Sequence, residues 1–185
     1  LIVKLRYEGS SKGLSHTSLV NTPQELRRQV EWLRETYHRP AIFIEEFIEG
    51  QEFTVAIIGT DSPEVYPVVQ VALDGKTDLG RNFFMFSYLR SGADYVCPAP
   101  IPESLARRMQ ALALRTYQAV ECRDFGRVDF RVDRQGNPYV LEINPLPSLS
   151  TEDVFNSVAK TKGMTHAQII NRILDAALVR YGMQA

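Results

Sequence analysis

The chain has 185 residues, 44% of them hydrophobic, which suits one domain of ordinary size or two small lobes with a core. A formal net charge of −1 gives no drive toward nucleic acid or an anionic membrane, and no apolar run approaches the roughly 20 residues that span a bilayer. Cys97 and Cys122 lie far apart without metal-ligand spacing, so they read as free core thiols in a reducing, cytoplasmic setting.

Residues 1–5 form a short apolar strand that opens with no initiator Met and no signal-peptide charge pattern, as the interior of a longer protein would. Residues 8–13 (EGSSKG) are a tight polar loop, and residues 14–20 a second, weaker strand. Thr22 as N-cap, Pro23 in the first turn and Glu25 three residues after the cap start a helix. Leu26, Val30, Leu33 and Tyr37 continue it at helical spacing until Arg39-Pro40. Residues 41–46 are a strand. Residues 52–59 and 65–73 are β-branched strands joined by a turn at 60–63.

Residues 74–94 are rich in Gly, Asp and Asn and carry aromatics that look exposed, Phe83, Phe84, Phe86 and Tyr88. A loop this long in a compact protein is functional or disordered. Residues 103–120 are an amphipathic helix with Leu105, Met109, Leu112 and Val120 on one face. Residues 126–132 and 138–144 are strands around a turn at 133–137. Thr165 with Gln168 opens a last helix, striped by Ile170, Ile173, Leu174, Ala177, Leu178 and Tyr181. Short turns join several strands, which favours α+β with antiparallel sheet over a doubly wound parallel sheet.

The last two strands carry the main chemical signal. Side chains alternate across a strand, so Arg127, Asp129 and Arg131 share one face, opposite Val128, Phe130 and Val132. Glu142 and Asn144 likewise share a face, opposite Leu141 and Ile143. With residues 134–137 as the loop, Asp133 pairs with Pro138, and Asp129 then lies across from Glu142 and Arg127 across from Asn144. Two facing carboxylates repel, and a divalent cation between them removes the conflict. Hard oxygen donors without His or Cys suit magnesium better than zinc. Arg127 could stabilise negative charge on a reacting phosphate or oxyanion. The alternative is a solvated hairpin face in which Arg127 and Arg131 neutralise Asp129 and Glu142. The Glu-Ile-Asn-Pro ending of the strand favours the metal site.

Two further segments point to a nucleotide. In EGSSKG, the small residues Gly9, Ser10, Ser11 and Gly13 let backbone N–H groups converge on an anion, and Lys4 could present a cation to the same phosphate. Taken alone, they fit a simple turn and an edge-strand lysine equally. In EEFIEGQE (residues 45–52), backbone groups at a crossing between strands can read an adenine edge, and a carboxylate can accept ribose hydroxyls.

Taken in order, VKLRYEGSSKG, IEEFIEGQEFTVAIIG, YVCPAPIP and GRVDFRVDRQGNPYVLEINPLPSLS resemble the ATP-grasp superfamily, most closely its D-alanine–D-alanine ligase group. The resemblance covers nearly the whole chain. It implies an α+β ATP-grasp fold, with residues 1–44 as part of a small lobe and 45–185 as the larger lobe. It also implies an ATP-dependent ligase that phosphorylates a carboxylate and passes the acyl group to an amine. Magnesium, with manganese as an alternative, would assist.

Carried over by position, the resemblance gives Lys4, Ser10 and Ser11 to the ATP phosphates, Ser10 also lying near substrate. Glu45, Phe47 and Ile48 fall to the adenine, Glu52 to the ribose and Tyr88 to a lid near substrate. Arg127 falls to the acyl phosphate, and Asp129, Glu142 and Asn144 to the metal. Expected partners are small-molecule acids and amines, with a homodimer as one expected assembly. Departures are Leu5 for the family's proline, Ser87 for a lid lysine (with Arg90 as a substitute) and Pro147-Ser148 for a Pro-Gly pair. Asp153 stands for a serine that meets the acceptor carboxylate, which Asp153 would repel; Ser150 or Thr151 could compensate. These departures motivate a second reading, an ATP-binding sensor or pseudo-enzyme of the same fold. Catalysis in the first reading is positioning plus electrostatics under a lid at residues 74–94.

Overall fold

The computed structural model describes residues 1–85 and 93–183 of the chain. Strands β1 (Ile2–Leu5) and β2 (Ile42–Glu45) form a two-stranded antiparallel sheet. Helix α1 (Pro23–Thr36) packs on it through Leu26, Val30, Leu33 and Tyr37, the expected stripe. Its start is the expected reciprocal cap: Thr22 Oγ1 accepts from Glu25 N at 3.2 Å, and the Glu25 carboxylate accepts from Thr22 N at 3.3 Å.

Among the described residues, the remaining strands make a six-stranded sheet of order β6 (Ala93–Val96), β5 (Val69–Leu73), β3 (Gly50–Ile58), β7 (Phe125–Asp133) and β8 (Pro138–Asn144), with β4 (Glu64–Val65) also on β3. Every pairing is antiparallel. Helix α2 (Glu103–Ala119) covers one face, where Met109, Ala113 and Tyr117 meet Phe53, Val55, Val128 and Phe130. Helices α3 (Val154–Thr161) and α4 (His166–Arg180) cover part of the other face, against Ala56 and Ile58.

The β3–β7 register decides where the site falls. On the α3 side the facing pairs run Ile58 with Phe125, Ala56 with Arg127, Thr54 with Asp129 and Glu52 with Arg131. That face therefore changes from apolar to polar along its length. The helices bury the apolar end, and the polar end lines a cleft. Gly50 closes the ladder at φ 144°, and a Cβ there would lie 2.1 Å from the Val132 carbonyl oxygen, so only glycine fits.

Several expected elements differ. Residues 14–20 do not form a strand: residues His16–Ser18 are a short 3₁₀ turn, and a single bridge joins Ile2 to Leu19. Serine is the reason, because Ser18 Oγ accepts from Ser15 N at 3.0 Å and gives the backbone a local partner. The strand expected over 65–73 breaks between β4 and β5, where Pro67 has no N–H for a ladder. Val120 lies beyond the last turn of α2 and is exposed. The buried stripe of α4 runs through Ile169 and Ile173, leaving Leu174 and Tyr181 exposed. Phe83 is buried rather than exposed. Helix α3 was not expected, since eight residues are too few to show a period. Cys97 and Cys122 are free and half-buried, and burial pushes both thiols up in pKa.

Asp124 ties three elements together at the end of the sheet far from the cleft. It accepts from Arg180 Nε at 2.8 Å and Nη2 at 2.7 Å, and from Thr60 Oγ1 at 3.3 Å. Arg180 holds the carboxyl below its ordinary value of 3.8. A lowered folded pKa gives stability that is present above the unfolded value and lost as pH falls through the folded one. The stability gap between the protein and Asp124→Asn should therefore be constant above about pH 5 and close below about pH 4. Thermal unfolding of both proteins across pH 2–7 checks this.

Candidate functional site

The cleft has a volume of about 480 Å³ and lies between the two sheets. Its lining includes Lys4, Ser10, Ser11, Glu45, Phe47, Ile48, Glu52, Arg127, Asp129, Glu142 and Asn144. Eleven of the twelve expected site residues are thus brought together from four separate segments. Tyr88, with Ser87 and Arg90, lies outside the described residues.

On the β1–β2 side, Lys4 Nζ pairs with the Glu45 carboxylate across the two strands. A half-exposed ion pair contributes at most about 1 kcal/mol, so a competing phosphate can replace Glu45 at little cost. In the following loop Ser10 and Ser11 have φ of 52° and 57°, a left-handed conformation that L-residues avoid. Turn bonds hold it there, from Lys12 N to Gly9 O and from Leu14 N to Ser11 O, both 3.0 Å.

On the floor, Arg131 is 2% exposed. Its Nη1 donates to Glu52 Oε1 at 2.7 Å and Asn82 O at 3.1 Å, and its Nη2 to Gly50 O at 3.1 Å and Gly80 O at 3.0 Å. The guanidinium also lies 4.6 Å from the centre of the Phe47 ring, which meets Phe83 edge-on. Glu52 accepts from Phe84 N at 3.0 Å through its other oxygen. Burial pushes the Glu52 carboxyl up in pKa, against the pull of Arg131. Both Glu52 oxygens are therefore engaged by the protein itself.

The hairpin pairs Asp129 with Glu142 and Arg127 with Asn144, as expected, but by a different route. Val132, not Asp133, faces Pro138, which makes the turn one residue longer. A bulge at Leu141 then restores the offset, because Phe130 faces Val140 and Asp129 faces Glu142. The extra residue breaks alternation, so Leu141 does not enter the core; it is half exposed and lines the cleft.

Asp129 is saturated with donors. Arg127 Nε and Nη2 approach its two oxygens at 2.9 Å each, Thr54 Oγ1 donates at 2.6 Å and Asn144 Nδ2 at 2.9 Å. Asn144 Nδ2 is also 3.2 Å from Glu142 Oε1. One atom thus contacts both carboxylates, so they lie close enough to share a ligand. Arg131 serves Glu52, leaving Arg127 and Asn144 to offset the hairpin carboxylates.

The donor set fits a hard cation. Asp129 and Glu142 offer carboxylate oxygens, and Asn144 offers its amide oxygen once the amide turns over. Among the described residues there is no group of three or more His, Cys, Asp or Glu that could hold a metal. Magnesium does not need one, since it keeps waters and uses phosphate oxygens.

Thr54 and Tyr95 belong to the cleft and escape the sequence reading; Asp153, which the resemblance set against an acceptor carboxylate, lines it too. Thr54 meets Asp129 only through a pairing 75 residues apart in sequence. Asp153 caps α3, accepting from Val154 N at 2.7 Å, and lies 3.6 Å from Arg127 Nη1. An Asp before Val-Phe is the cap signal that was available. Burial opposes the Arg127 charge, yet Asp129 and Asp153 outweigh it and keep the guanidinium's pKa above its usual value. Burial, then the Asp153 charge, pushes the Tyr95 phenol up in pKa. Ser150 and Thr151 are exposed and do not line the cleft.

Two sheets enclosing a cleft, with a carboxylate hairpin facing a serine-glycine loop, are the architecture of the ATP-grasp fold. The family model described as D-ala D-ala ligase C-terminus matches residues 1–175, and the chain belongs to that family. An uncharacterised protein, y4sG of Sinorhizobium fredii, is 38% identical over 98% of this chain and 53% of its own length. A D-alanine–D-alanine ligase of Pelotomaculum thermopropionicum is 28% identical over 100% of this chain and 55% of its own. The chain thus spans about half the length of these relatives. Among solved structures, the D-Ala:D-Ser ligase VanG of Enterococcus faecalis superposes with a TM-score of 0.75 at 25% identity, covering 95% of this chain and 48% of that one. The D-alanine–D-alanine ligase of Coxiella burnetii, at 20% identity and a TM-score of 0.76 over 98% of this chain and 45% of that one, shares the fold.

Breaking one side of a buried ion pair costs about 3–5 kcal/mol. Arg131→Leu should show that loss in urea unfolding, and adding Glu52→Leu should recover part of it.

Proposed function

We propose that this chain is the nucleotide- and metal-holding part of an ATP-dependent carboxylate–amine ligase. The observation that carries the reading is the convergence of eleven expected site residues on one cleft. Residues 1–44 serve as part of the small lobe and residues 45–185 as the larger one. Lys4 and the Ser10–Ser11 turn hold the ATP phosphates, with Lys4 exchanging Glu45 for phosphate. Phe47 and Ile48 line the adenine pocket. Glu52 acts there mainly as the counter-ion of Arg131, since its oxygens are already engaged. Asp129, Glu142 and Asn144 hold magnesium, which when bound neutralises charge on the transferring phosphoryl group.

The reaction proceeds in two displacements. A substrate carboxylate oxygen attacks the γ-phosphorus as the bond to ADP breaks, giving an acyl phosphate. The neutral amine of the second substrate then attacks the acyl carbon. A C–N bond forms, the C–O bond to phosphate breaks, and the amine proton leaves with phosphate or solvent. Arg127, held at the cleft by Asp129 and Asp153, offers a permanent positive charge to the acyl oxygen and the leaving phosphate. Its raised pKa keeps that charge at every working pH. The setting is cytoplasmic, the substrates are small acids and amines, and a homodimer is the expected assembly. No helix among the described residues is long and apolar enough to cross a membrane.

The full-length protein should release ADP only when a suitable acid and amine are both present. Asp129→Asn combined with Glu142→Gln should cut that release about 100-fold or more and abolish Mn²⁺ binding measured by electron paramagnetic resonance. Unchanged turnover in the double variant sinks the metal assignment. Nucleotide binding without ADP release, across a broad panel of acids and amines, favours the sensor reading instead.

A further inference from the structure

One buried carboxylate in the cleft, set against an acceptor carboxylate in the sequence, touches no reacting atom in the reaction proposed above. Asp153 is 3% exposed and lines the wall beside Arg127. It sits at the N-terminus of α3, and its Oδ1 takes the Val154 N–H at 2.7 Å. A helix N-terminus open to a cleft ordinarily favours an anion from the ligand. Here the chain supplies that anion itself. A substrate carboxylate arriving at this wall meets another carboxylate in place of free N–H groups.

The surrounding charges give little relief beyond one long ion pair to Arg127. The described cleft lining holds five basic side chains and seven carboxylates, a formal surplus of two negative charges. One divalent cation cancels that surplus and leaves nothing over. Arg127, the cation nearest this wall, gives Nε and Nη2 to Asp129 and turns Nη1 toward Asp153 at 3.6 Å. Ser148 lines the same region without charge.

We propose that Asp153 is a specificity-determining residue, selecting an amine acceptor with no carboxylate next to its amino group. The substituent there is a neutral group, such as a carboxamide, or a positively charged one. The inference rests on the ligase reading and names its second substrate by class. It places the protein where a carboxylic acid is joined to an amino-acid amide or a simple amine rather than to a free amino acid.

The test uses the full-length protein with Mg²⁺ and the non-hydrolysable analogue adenosine 5′-(β,γ-imido)triphosphate. Amino acids and their amides are titrated as matched pairs, with small, apolar and basic side chains in both configurations, and binding is read by calorimetry. The amides should bind about tenfold tighter than the acids. Asp153→Ser removes the charge but keeps a competent helix cap. That variant should erase or reverse the preference while still binding the Mg²⁺–nucleotide analogue. The proposal is overturned by equal or tighter binding of the acids, by binding of neither member of any pair, or by a preference that survives in Asp153→Ser. A protein that fails to bind the Mg²⁺–nucleotide at all overturns the ligase reading on which the proposal stands.

Discussion

The cleft depends on one buried guanidinium. Arg131 must find partners for its donors inside the protein, because an arginine removed from water without them is prohibitively costly. It draws them from two places: the start of β3, through Gly50 O and the Glu52 carboxylate, and the 80–82 segment. Phe47 packs on the same charge from a third. Among the described residues only its Nε is left buried without a partner. Segments distant in sequence are therefore fixed against one another by a single side chain. Phe47 and the 80–84 segment inherit their positions from it.

The second constraint is the β3–β7 ladder. Its face toward α3 changes from apolar to polar within a few residues, and α3 begins where the polar part starts. The same strand pair thus serves as core at one end and as cleft floor at the other. Thr54 and Asp129 face each other at the boundary, where their hydrogen bond of 2.6 Å helps to fix the carboxylate. The floor is rigid because it belongs to the central strands of the sheet, while the parts that must accommodate ligand lie in loops.

Local patterns were legible in the sequence; long-range pairings were not. The capping box at Thr22 and Glu25 and the stripe of α1 were readable because all their parts lie within a few turns. The pairing of Asp129 with Glu142 was anticipated, but through a regular ladder. The real hairpin combines a longer turn with a bulge at Leu141, and the two one-residue offsets cancel. Nothing in PYVLEIN marks Leu141 as the extra residue, since a bulge depends on how the partner strand twists. Thr54, and the Glu52 partner of Arg131, escaped for a related reason: these pairings join strands whose adjacency no local pattern reveals. The break at Pro67 and the 3₁₀ turn at His16–Ser18 were available from chemistry, in a missing N–H and in serines that bond locally.

The ion pair between Lys4 and Glu45 reaches beyond the site's static geometry. Arg127 and Arg131 also stand opposite carboxylates, so these cations project little field into solvent. Electrostatic steering accelerates association when a cleft shows one sign of charge at long range. This cleft instead holds its cations in reserve, and under the proposed function an approaching polyphosphate is not pulled in from afar. Its arrival is governed by diffusion and by the exchange of one partner for another at contact. The selectivity accordingly lies in the exchange rather than in the approach.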